Sequence, residues 1–347
     1  MYEKEWIRMF KRKHLIAGLI VPILVQLIML LILVPPIQAM TDNADQLSIA
    51  VVTNGTPIGE QAAGQLKQAL PFKVKTVGNK KKAIAQMNNG DEQMVMVFPK
   101  NLMQTRQLEF DINEAVPSTA KSIMNQAAVQ ITGKLNNQLS HQKPMEAKII
   151  KIHNAKGELN AVLPLEIFLT TFVAAIILIL IQYNALQKNP FGSRWKTFLI
   201  HQFANAAAAI IFPIGLWIII AAYDVHLSVS IGTLWFFMSL VFFTIALFIQ
   251  MFVYFFGIAG EGLAALFLLI QIISCGIILP TTLLPAFYRA LAPWLPGYYY
   301  AKGIYTIMFG GSSLSFVALG WMGLIFLAVS AIAVFTRKNL FMKEVSR

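Results

Sequence analysis

The chain has 347 residues, of which 57% are hydrophobic and 13% charged, and its mean hydropathy is +0.63. This composition is too apolar for a water-soluble protein of this length and indicates an integral membrane protein. The formal net charge of +12 does not indicate nucleic-acid binding, because much of the positive charge flanks apolar segments.

Residues 1–14 predict a short helix in the membrane interface. Trp6 and its apolar neighbours form one side at helical spacing, and basic residues form the other, which suits contact with anionic headgroups. The basic residues are Lys4, Arg8, Lys11, Arg12 and Lys13. A basic flank that only fixes the orientation of the chain is the open alternative.

Residues 15–40 contain no charged side chain and predict the first transmembrane helix. A cleaved signal peptide has a shorter apolar region, whereas this one continues as far as Pro35 and Pro36. We therefore expect an uncleaved span.

Residues 41–161 have the composition of a soluble domain, with frequent Lys, Asn and Gln. Alternating apolar residues predict strands, and segments of helical periodicity lie between them, so this region predicts a small α/β domain. The predicted strands are 47–53, 72–77, 93–99, 108–112 and 147–152, and the predicted helices are 58–70, 80–90 and 117–140.

Residues 162–337 predict five further transmembrane helices, at 163–184, 197–222, 230–257, 262–280 and 313–336. The basic residues decide their orientation. The loop 185–197 contains Lys188, Arg194 and Lys196, and the end of the chain contains Arg337, Lys338, Lys343 and Arg347. In a six-span arrangement these residues and the N-terminal basic residues share one side, which the positive-inside rule assigns to the cytoplasm.

The predicted fold is therefore an α-helical polytopic membrane protein of the cell (plasma) membrane. It has six transmembrane helices and a small extracytoplasmic α/β domain inserted after the first. Both termini, including the tail 338–347, are expected in the cytoplasm.

The segment 280–300 interrupts the pattern of spans. Pro280, Pro285, Pro293 and Pro296 exclude one continuous helix, because proline removes a backbone donor and disfavours helix in the residue before it. Trp294 and the cluster Tyr298–Tyr300 favour the headgroup zone. We expect a short helix that lies at one membrane face or re-enters it.

The sequence lacks the patterns of a nucleotidase or a metalloenzyme. Gly133 and Lys134 are followed by Leu135 and do not form a phosphate-binding loop. The five histidines form no metal-binding pair, and the one cysteine, Cys275, lies in an apolar span. We expect no catalytic residue, no metal and no cofactor bound by this chain.

Ionisable residues near membrane depth are rare in this chain, and each one needs an explanation. Glu166 lies between Leu165 and Ile167 where the α/β domain joins the spans. If it faces the interior, it is a candidate for lining a substrate path or coupling domain motion to it. Contact with water is the open alternative for Glu166, and also for His201, Asp224 and Glu261.

Three stretches of the sequence resemble the type-2 ABC exporter permeases, and most closely the YhgE/Pip group. The stretches are LSIAVVTNGTPIGEQAAGQLKQALPFKVKTV, KKKAIAQMNNGDEQMVMVFPKNL and ILPTTLLPAFYRALAPWLPGYYYAKGI. Their order and the single insertion after the first span agree with that family. The α/β domain is short for the YhgE/Pip group, many of whose members carry a longer coiled-coil-rich insert.

The resemblance implies roles for three regions. Residues 1–14, with Trp6, Arg8 and Lys11, match an interfacial elbow helix. The loop that contains Lys188, Arg194 and Lys196 matches the contact with the ATPase. The segment that contains Pro280, Pro285, Arg289, Trp294 and Pro296 matches a re-entrant hairpin.

The implied function is that of a permease subunit that forms a homodimer or heterodimer and pairs with a separate cytoplasmic ABC ATPase, which binds and hydrolyses ATP. We expect it to move an amphiphilic or hydrophobic substrate outward, such as a lipid, drug or peptide. The alternative is a non-transporting surface scaffold, such as a phage-receptor-like or type VII secretion accessory protein.

Overall fold

The computed structural model describes residues 46–89, 91–114, 116–138, 144–152, 159–188, 193–223, 225, 227–310 and 314–336, together with positions 32, 35, 36, 39 and 43. The predicted elbow helix and the predicted tail 338–347 lie outside the described residues. So does the predicted first transmembrane helix, apart from helical positions at Ile32, Pro35, Pro36 and Ala39. The described chain forms an α/β unit followed by a helical bundle.

The α/β unit is built on a five-stranded mixed sheet. Its strands are β1 (Ser48–Val52), β2 (Lys73–Val77), β3 (Met94–Val97), β4 (Gln107–Asn113) and β5 (Glu146–Ile152). The order is β2-β1-β3-β4-β5, and all neighbours are parallel except β3 and β4. Ile49 of β1 pairs with Val74 of β2 on one side and with Met94 of β3 on the other. The strands lie at the positions that the sequence predicts.

Helices cover both faces of this sheet. They are α1 (Pro57–Ala69), α2 (Lys80–Asn88), α3 (Leu102–Thr105) and α4 (Ser118–Gln138). Because side chains alternate along a strand, each strand contributes to two cores. Ile49 and Met94 pack with residues of α1 and α4, whereas Ala50 and Val95 pack with Met87 of α2 on the other face. Two helix starts are set by capping: the side chains of Thr56 and Asn79 accept hydrogen bonds from the amides of Gly59 and Lys82.

Among the described residues, the bundle contains four helices that are long and apolar enough to cross a membrane. They are α5 (Leu159–Lys188), α6 (Arg194–Ala222), α7 (Ile231–Phe256) and α11 (Phe316–Thr336). Helix α7 is central and packs against the other three. A fifth apolar helix, α8 (Ile258–Ser274), has 17 residues and is shorter than the span predicted at 262–280. At 1.5 Å per residue it is about 25 Å long, less than the ~30 Å of a bilayer core.

The turn between α7 and α8 depends on two glycines. Gly257 has φ of +64°, a left-handed conformation that other residues rarely adopt. A Cβ on Gly260 would lie 2.2 Å from the carbonyl oxygen of Phe252. These glycines allow α8 to pack directly against α7, which places Glu261 in the first turn of α8.

The chain from 276 to 295, which we call the collar, joins α8 to the next helix. It contains a 3-10 turn at Thr281–Leu283, the short helix α9 (Ala286–Leu291) and a second 3-10 turn at Ala292–Trp294. Helix α10 (Pro296–Phe309) follows the collar and packs against α5, α7 and α8. The sequence does not predict α10 as a helix, because aromatic and small residues obscure its apolar period. Tyr300, expected near the headgroups with its neighbours, is fully buried in α10.

Candidate functional site

The α/β unit is attached to the collar by an apolar side chain. Leu283 is 0% exposed and belongs to the hydrophobic core of the α/β unit, although it is more than 130 residues away along the chain. Two hydrogen bonds flank this insertion: Thr119 Oγ1 donates to the carbonyl oxygen of Ile278 at 2.7 Å, and Asn43 Nδ2 donates to that of Leu283 at 3.0 Å. The collar and the α/β unit therefore form one packed joint.

A partly buried lysine contributes to the same joint. Lys121 of α4 lies with its Nζ 5.6 Å from the ring centroid of Phe309, the last residue of α10, within the range of a cation–π contact. Burial lowers the pKa of Lys121, although nearby Glu114 opposes this effect. The α/β unit thus contacts both the collar and the end of α10.

Helix α10 connects this joint to the bundle. Tyr300 donates a hydrogen bond of 2.7 Å from its hydroxyl to the carbonyl oxygen of Pro164 in α5, and its ring lies 5.2 Å from that of Phe168. The amide of Gly297 donates to Gln271 Oε1 of α8 at 2.9 Å. A Cβ on Gly297 would lie 2.9 Å from Phe168 Cζ, so a side chain there would disturb the contact with α5. Helix α10 therefore contacts both α5 and α8 and follows directly from the collar.

Uncharged polar side chains join three helices inside the bundle. Asn205 of α6 accepts a hydrogen bond from Gln182 Nε2 of α5 at 2.8 Å and donates one to Gln250 Oε1 of α7 at 2.7 Å. All three residues are buried, and such hydrogen bonds hold transmembrane helices together. Sequence reasoning missed this network because it considered only ionisable residues. Single Asn or Gln residues within apolar runs are the signal that would have found it.

His201 lies beside this network and is buried, so contact with water is not its explanation. Its Nδ1 is 2.6 Å from the hydroxyl of Tyr254, and both rings lie between α6 and α7. The pair adds a second polar contact between these two helices.

The structure places Glu166 on the exposed side of α5. Its neighbours Ile167 and Phe168 are buried and form the interior side of the helix. Glu166 therefore does not face the interior of the described bundle, and its role in a substrate path or in coupling stays a prediction. Glu261 is half-buried, and its Oε1 has no hydrogen-bond partner among the described residues. Asp224 lies outside them.

The residues predicted to contact an ATPase lie at one end of the bundle. Arg194 begins α6, and its Nη1 donates to the carbonyl oxygen of Phe335 near the end of α11 at 3.3 Å. Lys196, two residues further along α6, has an exposed side chain. Lys188 ends α5, and the structure does not describe its side chain. Trp6, Arg8 and Lys11 of the predicted elbow helix lie outside the described residues.

The predicted prolines begin the short helical pieces around the collar. Pro280 and Pro285 precede the first 3-10 turn and α9, and Pro296 is the first residue of α10. Arg289 is exposed, and its Nη1 donates to the carbonyl oxygen of Thr282 at 3.4 Å. Trp294 is 74% exposed. Among the described residues no group of three or more His, Cys, Asp or Glu side chains is arranged to hold a metal ion.

Apolar side chains cover the outer faces of the spanning helices. Ile181 of α5, Phe203 of α6 and Trp321 of α11 are each more than 60% exposed. Exposed apolar surface of this extent is typical of contact with lipid. These faces and the long apolar helices make the chain a multi-pass membrane protein.

Neither the curated proteins nor the solved structures yield a match to this chain. Among protein families, residues 12–335 match the family described as ABC-2 family transporter protein. The match covers the α/β unit, the collar and nearly all of the described bundle. The resemblance is therefore confirmed as far as an ABC-2 type permease, while the export direction and the YhgE/Pip group stay predictions. The chain belongs to the ABC-2 transporter family, whose members are membrane components of transporters and carry no ATPase of their own.

Proposed function

We propose that the chain is the permease subunit of an ATP-driven exporter that moves an amphiphilic or hydrophobic substrate outward. A separate cytoplasmic ABC ATPase supplies the energy, and two permease chains, identical or different, form the pathway. The observation that carries this proposal is the family match over residues 12–335 in a sequence without a phosphate-binding loop.

The contacts of the bundle support a route for the conformational change. Closure of the ATPase would push the loop between Lys188 and Arg194, where α5 ends and α6 begins. Helix α5 contacts α10 through Tyr300, and α10 leads to the collar. The ATPase must supply most of the free energy, because a ligand shifts a two-state equilibrium only by its differential affinity for the two states.

The surface of the helices supports the class of substrate. The exposed face of α5 carries Val173, Ile177 and Ile181, and Glu166 lies on it near the α/β unit. In a dimer, a mainly apolar face with a carboxylate near its end suits an amphiphile better than a sugar or an ion. The α/β unit lies on the extracytoplasmic side in this proposal, and both termini lie in the cytoplasm.

The test is transport by a reconstituted complex. The full chain would be purified from its native membrane together with the ATPase that binds it, and placed in liposomes with a fluorescent lipid analogue. We expect outward movement that needs ATP and is lost when the phosphate-loop lysine of the ATPase is replaced by alanine.

Two results would contradict the proposal. Movement at the full rate by the permease chain without an ATPase would show that ATP does not drive it. An intact chain that binds no ATPase would favour the surface scaffold instead. The fraction of each preparation that inserts correctly, measured by protease protection of the α/β unit, serves as the control.

A further inference from the structure

A cavity of about 200 Å³ lies between the α/β unit and the collar. The α/β unit contributes Gln46 and Lys73, the collar contributes Thr281, Thr282, Arg289 and Ala292, and α10 contributes Tyr298. The cavity therefore exists only while the two parts are packed together.

The lining carries two positive charges and no acidic residue. Lys73 Nζ donates to Gln46 Oε1 at 2.7 Å, and Arg289 Nη1 donates to the carbonyl oxygen of Thr282 at 3.4 Å. Both acceptors are neutral, and within the described chain neither cation has a carboxylate within ion-pair distance. The positive charge of the cavity is thus available to an anion.

Additional donors surround these cations. The side chains of Thr281, Thr282 and Tyr298 each offer a hydroxyl, which donates or accepts a hydrogen bond as needed. Lys302 Nζ lies 4.3 Å from the ring centroid of Tyr298 and adds a third positive charge near the cavity. A phosphate group presents several oxygens to donors from different directions, and Arg and Lys are its usual partners in proteins.

The size of the cavity limits what enters it. Pockets for whole drug-sized ligands have about 300–1,000 Å³, so this cavity suits a headgroup rather than a complete amphiphile. Phe287 and Trp294, on the same short helices as Arg289 and Ala292, are 65% and 74% exposed. Exposed aromatic residues of this kind favour the membrane interface, where a lipid presents its headgroup.

We propose that this cavity binds an anionic phosphate group through Lys73 and Arg289. The group belongs either to a lipid headgroup or to free phosphate in solution. If it belongs to a lipid, the site indicates that the transported amphiphile has an anionic phosphate headgroup. This assignment of the substrate rests on the proposed function.

The test measures binding to the full chain in a non-ionic detergent, without ATPase or ATP. The probes are dihexanoyl phosphatidylglycerol, dihexanoyl phosphatidylcholine and inorganic phosphate, titrated by calorimetry. We expect saturable binding of the phosphatidylglycerol, competition by inorganic phosphate and much weaker binding of the zwitterionic lipid. Lys73→Gln and Arg289→Gln should each lower the affinity by roughly tenfold or more, because each removes a charge-assisted hydrogen bond.

Two further variants control for indirect effects. Lys67→Gln removes an equal charge from an exposed position on α1 outside the cavity, and should leave the affinity unchanged. Arg289→Lys keeps the charge but loses the planar fork, and should bind more tightly than Arg289→Gln. Equal unfolding temperatures of all variants would show that the fold is intact.

The outcomes separate the possible sources and the two proposals. If inorganic phosphate binds and dihexanoyl phosphatidylglycerol does not, the phosphate site is supported and its assignment to a lipid headgroup is overturned. No binding of either probe, or equal binding by Lys73→Gln and Lys67→Gln, would overturn the site. Since no ATPase is present, loss of binding leaves the exporter proposal intact, and failure of ATP-driven transport leaves the site intact.

Discussion

Thr119 and Ile278 are joined by a hydrogen bond of 2.7 Å, from the hydroxyl of the first to the carbonyl oxygen of the second. It links α4 of the α/β unit to the collar immediately after α8. With Leu283 inserted into the core of the α/β unit, this contact makes the two parts mechanically continuous. A change in the bundle that moved the collar would have to move the α/β unit or break the joint.

We predict that Leu283→Ala separates the α/β unit from the collar. The side chain is fully buried, and replacing a buried leucine with alanine typically costs about 2–5 kcal/mol. The unfolding temperature of the α/β unit in the full chain should fall, and protease should cut the collar faster. Phe287→Ala, on the 65% exposed side chain of α9, is the matched control. An equal effect of both substitutions would show that Leu283 is not the anchor.

We predict that Gly303→Ala disrupts the packing of α10. The added Cβ would lie 2.1 Å from Phe237 Cζ of α7, and overpacking of this kind typically costs about 1–3 kcal/mol. The thermal midpoint of the bundle should fall. Gly320→Ala in α11 has no atom within 4 Å of the new Cβ and should be neutral. The double variant Gly303→Ala with Phe237→Leu should regain part of the loss, and no recovery would indicate a different cause.

We predict that Asn205→Leu weakens the contacts among α5, α6 and α7. It leaves Gln182 Nε2 and Gln250 Oε1 without their partner, at a cost of about 0.6–2 kcal/mol for interhelical hydrogen bonds in membranes. Unfolding in detergent by increasing denaturant should show a lower midpoint. Phe203→Leu, at a 76% exposed position of the same helix, is the control and should change little. A more stable Asn205→Leu variant would show that the network serves function at the expense of stability.

The sequence predicts the α/β unit well because its signals are local. Strands such as Ser48–Val52 and Met94–Val97 are short apolar runs bounded by turn residues, and Thr56 and Asn79 mark helix starts. The antiparallel pairing of β3 and β4 depends on the path of the chain between them and cannot be read from either strand alone.

The bundle was harder to predict, because nearly every position in it is apolar. The predicted span at 262–280 is displaced from α8, since hydropathy continues past Ser274 into the collar while the helix ends there. Helix α10 and the insertion of Leu283 were missed for a related reason. Helix α10 depends on close approaches at Gly297 and Gly303, and the insertion of Leu283 depends on contacts across more than 100 residues. Composition encodes neither.

We predict that Asp111 makes the stability of the α/β unit depend on pH. Its carboxyl group is 0% exposed, and burial raises its pKa above the ordinary 3.8, although Lys80 Nζ at 2.9 Å opposes this effect. The folded state therefore binds the proton more tightly than the unfolded state. This contribution to stability is complete below about pH 3.8 and is lost as the pH rises through the pKa of the folded state. The free energy of unfolding falls by about 1.4 kcal/mol for each unit by which the pKa of Asp111 in the folded state exceeds that in the unfolded state.

Asp111→Asn isolates this effect, because the amide does not titrate. The unfolding temperature of the variant relative to the unchanged protein should rise as the pH increases from about 4. The pKa of Lys80 lies above its ordinary 10.5, since its hydrogen bonds to Glu109 and Asp111 outweigh its burial, so it stays charged throughout this range. Asp91→Asn, at an exposed position, is the control. A constant difference between Asp111→Asn and the unchanged protein would contradict the prediction.

We predict that Arg194 and Lys196 respond differently to loss of charge. Arg194 donates to the carbonyl oxygen of Phe335, so it stabilises the end of α11 as well as carrying charge. Lys196 is exposed on the same turn of α6, and no contact of its side chain within the described residues explains its position. If this loop contacts the ATPase, Lys196→Gln should weaken ATPase binding and stimulation without changing the unfolding temperature. Arg194→Gln should weaken ATPase binding and stimulation and should also lower the unfolding temperature. Binding would be measured by co-purification and stimulation by phosphate release. An unchanged ATPase response in both variants would place the contact elsewhere on the chain. The positive charge of this turn would then serve only to orient the protein in the membrane.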